Sequence, residues 1–176
     1  DVCSSDLLMR ASLSHVPFDG WSWAAIRAGA QDLGVDRHEA ESAFPDGPAE
    51  VIELYSREAD LAMLAAFEEH DTLNMRVRDQ VALAVRLRLE QNEPHREAVR
   101  RALSFLALPQ HQGLGLRLLY RTCDACWTAA GDGSADYNYY TKRGLLAGVY
   151  ASTLLYWLED TSDGYTATWA FLERRI

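Results

Sequence analysis

The chain has 176 residues, 48% of them hydrophobic, and carries 26 acidic against 17 basic side chains, for a formal net charge of -9. So much apolar material supports a folded core and excludes a disordered chain, while the acidic balance disfavours a nucleic-acid partner, whose phosphates are held mainly by Lys and Arg. The longest uncharged stretch, Gly144 to Leu158, is shorter than the roughly 20 residues that a membrane-spanning helix needs, and three cysteines read as reduced thiols.

In chain order, the opening Asp1-Val2-Cys3-Ser4-Ser5-Asp6-Leu7 lacks an initiator Met. Residues 1–7 read as a non-native, adaptor-derived segment, and Cys3 is set aside. No cationic start followed by an apolar run marks a signal or transit peptide. Helical periodicity then dominates and no alternating strand pattern occurs, so the class is all-α. A first helix ends near His15, Val16 to Gly20 reads as a loop, and Trp21 to Leu33 forms a second helix stopped by Gly34. Asp36 can cap a short third helix through Ala43, which gives residues 8–46 the outline of a helix-turn-helix.

Residues 47–176 read as a helical bundle. A helix from Pro48 to about Glu69 places Val51, Leu54, Tyr55, Leu61, Ala62 and Ala65 on one face, and a helix from Leu73 to Gln91 carries Val77, Val81, Val85 and Leu89 at i+4 spacing. Pro94 opens a sixth helix and Pro109 ends it. The seventh, Gly113 to Ala130, has an expected buried stripe of Leu116, Leu119, Tyr120, Cys123, Cys126 and Trp127. Gly131-Asp132-Gly133-Ser134 is a loop, Asn138 to Glu159 an eighth helix, and Thr166 to the chain end a ninth. Nine helices with a helix-turn-helix at the front resemble the layout of tetracycline-repressor (TetR) proteins, with Leu33-Gly34-Val35-Asp36 and Phe44-Pro45 as local support.

The motifs argue for a binding protein over an enzyme. The third helix, Arg37-His38-Glu39-Ala40-Glu41-Ser42-Ala43, is too acidic to face DNA, so a TetR-type ligand-responsive repressor is the alternative reading and not the first. Cys123-Asp124-Ala125-Cys126 lies mid-helix without strands nearby or a second ligand pair, and reads as two small buried residues. No Glu-x-x-His pair, G-x-S-x-G, Walker loop or H-E-x-x-H occurs, so no catalytic residue, metal or cofactor is expected. Asp136-Tyr137-Asn138-Tyr139-Tyr140-Thr141-Lys142-Arg143 places aromatics and cations at the entry of a helix whose next fifteen residues are uncharged. Such a helix is expected to be covered on every side, by protein or ligand. Gly144, Gly148 and Ser152 form a small-residue ridge along it. Gly148, Ala151 and Leu155 are the candidate centre of a homodimer interface built from the last two helices.

From Leu8 onward the chain resembles the Coq-nine family of ubiquinone-biosynthesis proteins. The resemblance rests on Val16-Pro17 with Gly20-Trp21, Arg86-Leu87-Arg88, Arg101-Ala102-Leu103-Ser104 with Leu108-Pro109, Trp127 with Ala130-Gly131-Asp132, Thr141-Lys142-Arg143 and Trp169-Ala170-Phe171-Leu172-Glu173. It implies a TetR-like homodimer that has lost DNA recognition, binds isoprenoid quinone intermediates or phospholipid, and presents quinones to a di-iron hydroxylase. It also implies a partner-binding patch at Trp127, Tyr137, Tyr139 and Tyr140, Tyr139 standing where some members have tryptophan. Arg143 falls where a cation contacts a lipid head group, and Leu116, Leu119, Leu146 and Tyr150 complete the candidate lipid-binding set. A membrane-docking amphipathic helix is implied beyond Ile176. The expected location is the cytoplasm of a bacterium, peripheral to its inner membrane.

Overall fold

The computed structural model describes residues 4–132 and 137–176, Tyr137 by its backbone alone. Cys3, the loop residues Gly133 and Ser134, Asp136 and the side chain of Tyr137 lie outside the described residues. Ten helices are described: α1 (Ser4–Leu13), α2 (Val16–Asp19), α3 (Trp23–Leu33), α4 (Arg37–Ala43), α5 (Pro48–Glu68), α6 (Val77–Glu90), α7 (Arg96–Leu106), α8 (Gln112–Ala129), α9 (Tyr137–Glu159) and α10 (Thr166–Glu173). No strand occurs among the described residues. The helix beyond the expected nine is α2, a single turn with proline in its first positions, where a loop was expected.

The chain divides into two compact units, residues 1–58 with 94–115, and residues 59–93 with 116–176. The first holds the helix-turn-helix segment. Ser22 caps α3 by accepting from the Ala25 amide, and Gly34 ends it at φ 68°, a left-handed turn that donates back to Ala30 and Gln31. Asp36 caps α4 at the His38 amide, 2.8 Å away. Helices α1 and α3 meet at Gly29, where an added Cβ would lie 2.6 Å from the Ser12 amide nitrogen, so only glycine permits this approach. Trp21 anchors the unit from inside: its indole donates to the Ala98 carbonyl at 2.8 Å and its ring tilts against Tyr55. Arg101 in turn donates to the Pro17 carbonyl, which fixes α2 to α7.

Within α5 the buried side chains are Val51, Ile52, Leu54 and Tyr55, then Ala59, Met63 and Phe67. This corrects the expected face, because Leu61 is 59% exposed and Ala65 is exposed too. At 100° per residue, 61 stands opposite the stripe running through 55, 59, 63 and 67.

In the second unit α6 buries Val81, Val85 and Leu89 but leaves Val77, its first residue, half exposed. The stripe of α8 also departs from expectation. It runs through Leu118, Thr122, Cys123 and Cys126, while Leu116 is 69% exposed and Tyr120 is exposed. Helix α9 buries Leu146, Tyr150, Thr153, Leu154, Trp157 and Leu158.

The turn from α9 to α10 is closed by Asp160. One carboxylate oxygen accepts from the Ser162 amide and hydroxyl at 2.8 and 2.6 Å, the other from the Thr168 amide and hydroxyl at 2.9 and 2.6 Å. Burial alone would raise its pKa, but these four bonds outweigh that and hold the carboxyl far below the usual range. Among the described residues no helix is long and apolar enough to cross a membrane.

Candidate functional site

Helix α9 organises the candidate site, because its two faces differ in kind. The inner face is core. The outer face carries Gly144, Leu145, Gly148, Leu155 and Tyr156, all exposed, Leu145 at 70% and Leu155 at 59%. A Cβ added at Gly144 or Gly148 would meet nothing within 4 Å, so the ridge of small residues lies open. An uncharged helix was expected to be covered on every side; among the described residues it is covered on one. Between the end of α9 and the start of α10 this face continues into a shallow groove of about 800 Å³, lined by Ser152, Leu155, Tyr156, Glu159, Thr161 and Ala167. Of the interface candidates, Gly148 and Leu155 lie on the open face and Ala151 is half-buried beside it.

At the other end of α9 stands a compact set of rings and charges. Arg143 donates through Nε to Asp124 at 2.6 Å, and through Nη1 to Asp132 at 3.3 Å and to the Tyr139 carbonyl at 3.2 Å. Its guanidinium also lies 3.4 Å over the Tyr139 ring. The Tyr139 hydroxyl donates to the same Asp124 oxygen at 3.0 Å, and the Tyr140 ring meets Tyr139 edge-on at 5.2 Å. Lys142 pairs with Asp132 at 2.8 Å and lies 5.3 Å over the Trp127 ring. Hydrogen bonds to Tyr120 and then to Asp124 push the Tyr139 phenol up to about 12. For Arg143, burial opposes the charge, but bonding to Asp124 and Asp132 offsets that and holds the group above its ordinary value.

The geometry sets Tyr140 edge-on against Tyr139 and outermost, at 69% exposure, with Lys142 over the Trp127 ring. It corrects the reading of Arg143 as a head-group cation: two carboxylates already answer its charge, and the side chain is only 2% exposed. Leu116 does not share a buried surface with Leu146 and Tyr150 either, since it faces outward and Leu119 is half-buried. The aspartates that organise the cluster were not anticipated. Asp124 sits between the two cysteines, and the acidic residue in that motif was the available signal.

A second polar group lies inside the same unit. Asp60 of α5 accepts from Arg88 of α6 at 2.6 Å and from the Thr122 hydroxyl of α8 at 2.9 Å. Cys123, Cys126 and Tyr150 lie within electrostatic reach of Asp60. Burial pushes the Cys123 thiol up to about 12 and raises Cys126 and Tyr150 further, so all three are neutral at physiological pH. The Cys-x-x-Cys pair is two buried, free thiols. Among the described residues no cluster of His, Cys, Asp and Glu could hold a metal ion.

Some known proteins match the chain in sequence, and another matches it in fold. The chain is 38% identical to the mitochondrial ubiquinone biosynthesis protein COQ9 of Rattus norvegicus and 36% identical to that of Homo sapiens, in both cases over 96% of its own length. The chain is a homologue of the COQ9 proteins. The COQ9 family pattern itself matches residues 113–176, which hold α9, α10 and nearly all of α8. The homologue of Schizosaccharomyces pombe is 28% identical over 97% of the chain. The chain spans about half the length of the curated relatives it matches, 56% of the rat protein and 55% of the human one. These COQ9 relatives are mitochondrial proteins of eukaryotes, which overturns the expected location at a bacterial inner membrane. Among solved structures, a TetR transcriptional regulator from Nitrosomonas europaea superposes with a TM-score of 0.76 over 97% of this chain and 94% of its own, at 20% identity. That likeness confirms the TetR-like all-α fold and no more, because one fold hosts many functions.

Proposed function

We propose that this COQ9 homologue is a non-catalytic accessory protein of ubiquinone biosynthesis, which binds an isoprenoid quinone intermediate and presents it to a di-iron hydroxylase. The observation that carries the reading is the outer face of α9. It is apolar, lined by glycine and uncovered by the described residues, and one end abuts the rings of Tyr139 and Tyr140 and the Lys142–Trp127 pair. A second copy of the chain covers part of that face, with Gly148, Ala151 and Leu155 near the centre of a homodimer. The prenyl tail occupies apolar surface beside it, and the hydroxylase docks on the rings, since aromatic side chains are typical anchors of such contacts. The surface works at a membrane on which the protein rests peripherally, drawing phospholipid or quinone from it.

The repressor reading is weaker on physical grounds. Arg27 and Arg37 of the helix-turn-helix both donate to the same Glu41 oxygen at 2.9 Å, so one carboxylate offsets part of their charge and holds both side chains. An acidic α4 with its arginines occupied opposes phosphate binding at each contact.

Apolar burial supplies the lipid affinity. One five-carbon isoprene unit removes on the order of 100 Å² from water, or roughly 2 to 3 kcal/mol at about 25 cal/mol/Å², before the ordering cost of binding. Micromolar affinity needs about 8 kcal/mol net, so a tail of several units is required. The test is native mass spectrometry of the untreated protein followed by organic extraction. A co-purifying prenylated phenol or quinone is the expected result, with a rise in melting temperature when ubiquinone precursors are added. A protein that carries nothing apolar, and whose melting temperature ignores those precursors, contradicts the lipid reading.

A further inference from the structure

We propose that Arg143 is the positioning residue of the aromatic face: by gripping Asp124, Asp132 and the Tyr139 ring at once, it sets the orientation in which Tyr139 and Tyr140 meet a partner. The inference rests on the reading of that face as the hydroxylase dock. A guanidinium this buried needs acceptors in several directions, and it has them from three parts of the chain. Asp124 lies within α8, Asp132 follows that helix, and Tyr139 stands in the first turn of α9. One side chain therefore ties the end of one helix to the start of the next.

The tyrosine ring is held at both ends. The guanidinium covers its face at 3.4 Å while its hydroxyl is bonded to the Asp124 oxygen that also takes the Arg143 Nε. A ring pinned at face and hydroxyl has little freedom to turn, and Tyr140 packs edge-on against it, at an interplanar angle of 81°. Lysine could not substitute. An ammonium is a point charge on a flexible stem, whereas the planar fork donates in its plane and stacks on its face together. Beside it Lys142 repeats the arrangement on a smaller scale, pairing with Asp132 and covering Trp127. Two cations and two carboxylates sum to zero, so the face offers ordered rings and little net charge. Anchors fixed before docking spare a partner the cost of ordering them.

The test measures association of the wild-type chain, Arg143→Lys, Arg143→Met, Asp124→Asn and Tyr140→Ala with the hydroxylase by calorimetry. Melting temperature and the near-ultraviolet tyrosine circular dichroism of each free protein are recorded alongside. Arg143→Lys keeps the charge and is the variant expected to keep the fold. It should bind about tenfold more weakly, with an altered tyrosine band at an unchanged melting temperature, and Asp124→Asn should show the same weakening and altered band with a lowered melting temperature. If Tyr140→Ala weakens binding while both Arg143 variants bind like wild type, the positioning role is overturned and the dock stands. If Tyr140→Ala binds like wild type, the dock itself is in the wrong place, and the role assigned to Arg143 falls with it.

Discussion

Arg88→Met is expected to destabilise the second unit by about 3 to 5 kcal/mol, the cost typical of leaving one partner of a buried ion pair uncompensated. Asp60 would keep the Thr122 hydroxyl as a donor but lose the cation bonded to it at 2.6 Å, in a site where the Asp60 and Arg88 side chains are 12% and 5% exposed. Asp60→Leu should cost as much, since it removes the carboxylate that the buried guanidinium bonds at 2.6 Å. The double substitution, Asp60→Leu with Arg88→Met, should recover most of the loss, because replacing both charges with apolar groups of similar size removes the desolvation penalty together with the attraction. Urea unfolding followed by circular dichroism measures all three. The pattern of two severe single variants and a mild double variant is the expected signature. Additive losses in the double variant would mean that the three helices are held here by packing and not by the ion pair.

The glycines give the second large effect, and with opposite signs at two sites. Gly29→Ala must displace backbone: the new methyl would fall 2.6 Å from the Ser12 amide nitrogen and 2.9 Å from the Ala11 carbonyl carbon. Neither atom can move without shifting α1 off α3. A loss of about 3 kcal/mol, the upper end of ordinary overpacking, is expected in thermal or urea unfolding. Gly148→Ala meets open space, so helix propensity alone should stabilise the isolated chain by about 0.5 to 1 kcal/mol. Under the proposed homodimer the same methyl intrudes where a second copy approaches. Sedimentation should then show weaker self-association for Gly148→Ala, while dilute samples melt at a higher temperature than wild type. Unchanged self-association would remove Gly148 from the interface.

Much of the fold is legible along the chain because local chemistry marks it. Asp36 before a short polar helix, Gly34 after an apolar one, and Pro48 at a helix start each announce a boundary, and the structure places caps or helix starts at all three. The turn of α2 was missed because four residues are too short to show a period. The faces of α5 and α8 were harder. In α8, Leu114, Leu116, Leu118 and Leu119 permit more than one stripe at helical spacing, and the choice of Leu118 with Thr122 is made by Asp60, 62 residues from Thr122 in the chain. No local rule reports a partner at that distance. The aromatic segment stands out in the sequence by composition, but the partners of its arginine do not. Those partners, Asp124 and Asp132, sit in two motifs read for their cysteines and glycines.

The central claim is that this chain presents a substrate and performs no chemistry on it, and a reconstituted hydroxylation assay tests it most directly. A prenylated ubiquinone precursor is supplied in phospholipid vesicles to the di-iron hydroxylase, with and without the chain, and product is measured by mass spectrometry. The account predicts no turnover by the chain alone, a hydroxylase rate that rises with added chain until the two are equimolar, and loss of that rise in Tyr140→Ala. Product formed by the chain without hydroxylase, or a hydroxylase rate indifferent to its presence, would contradict it.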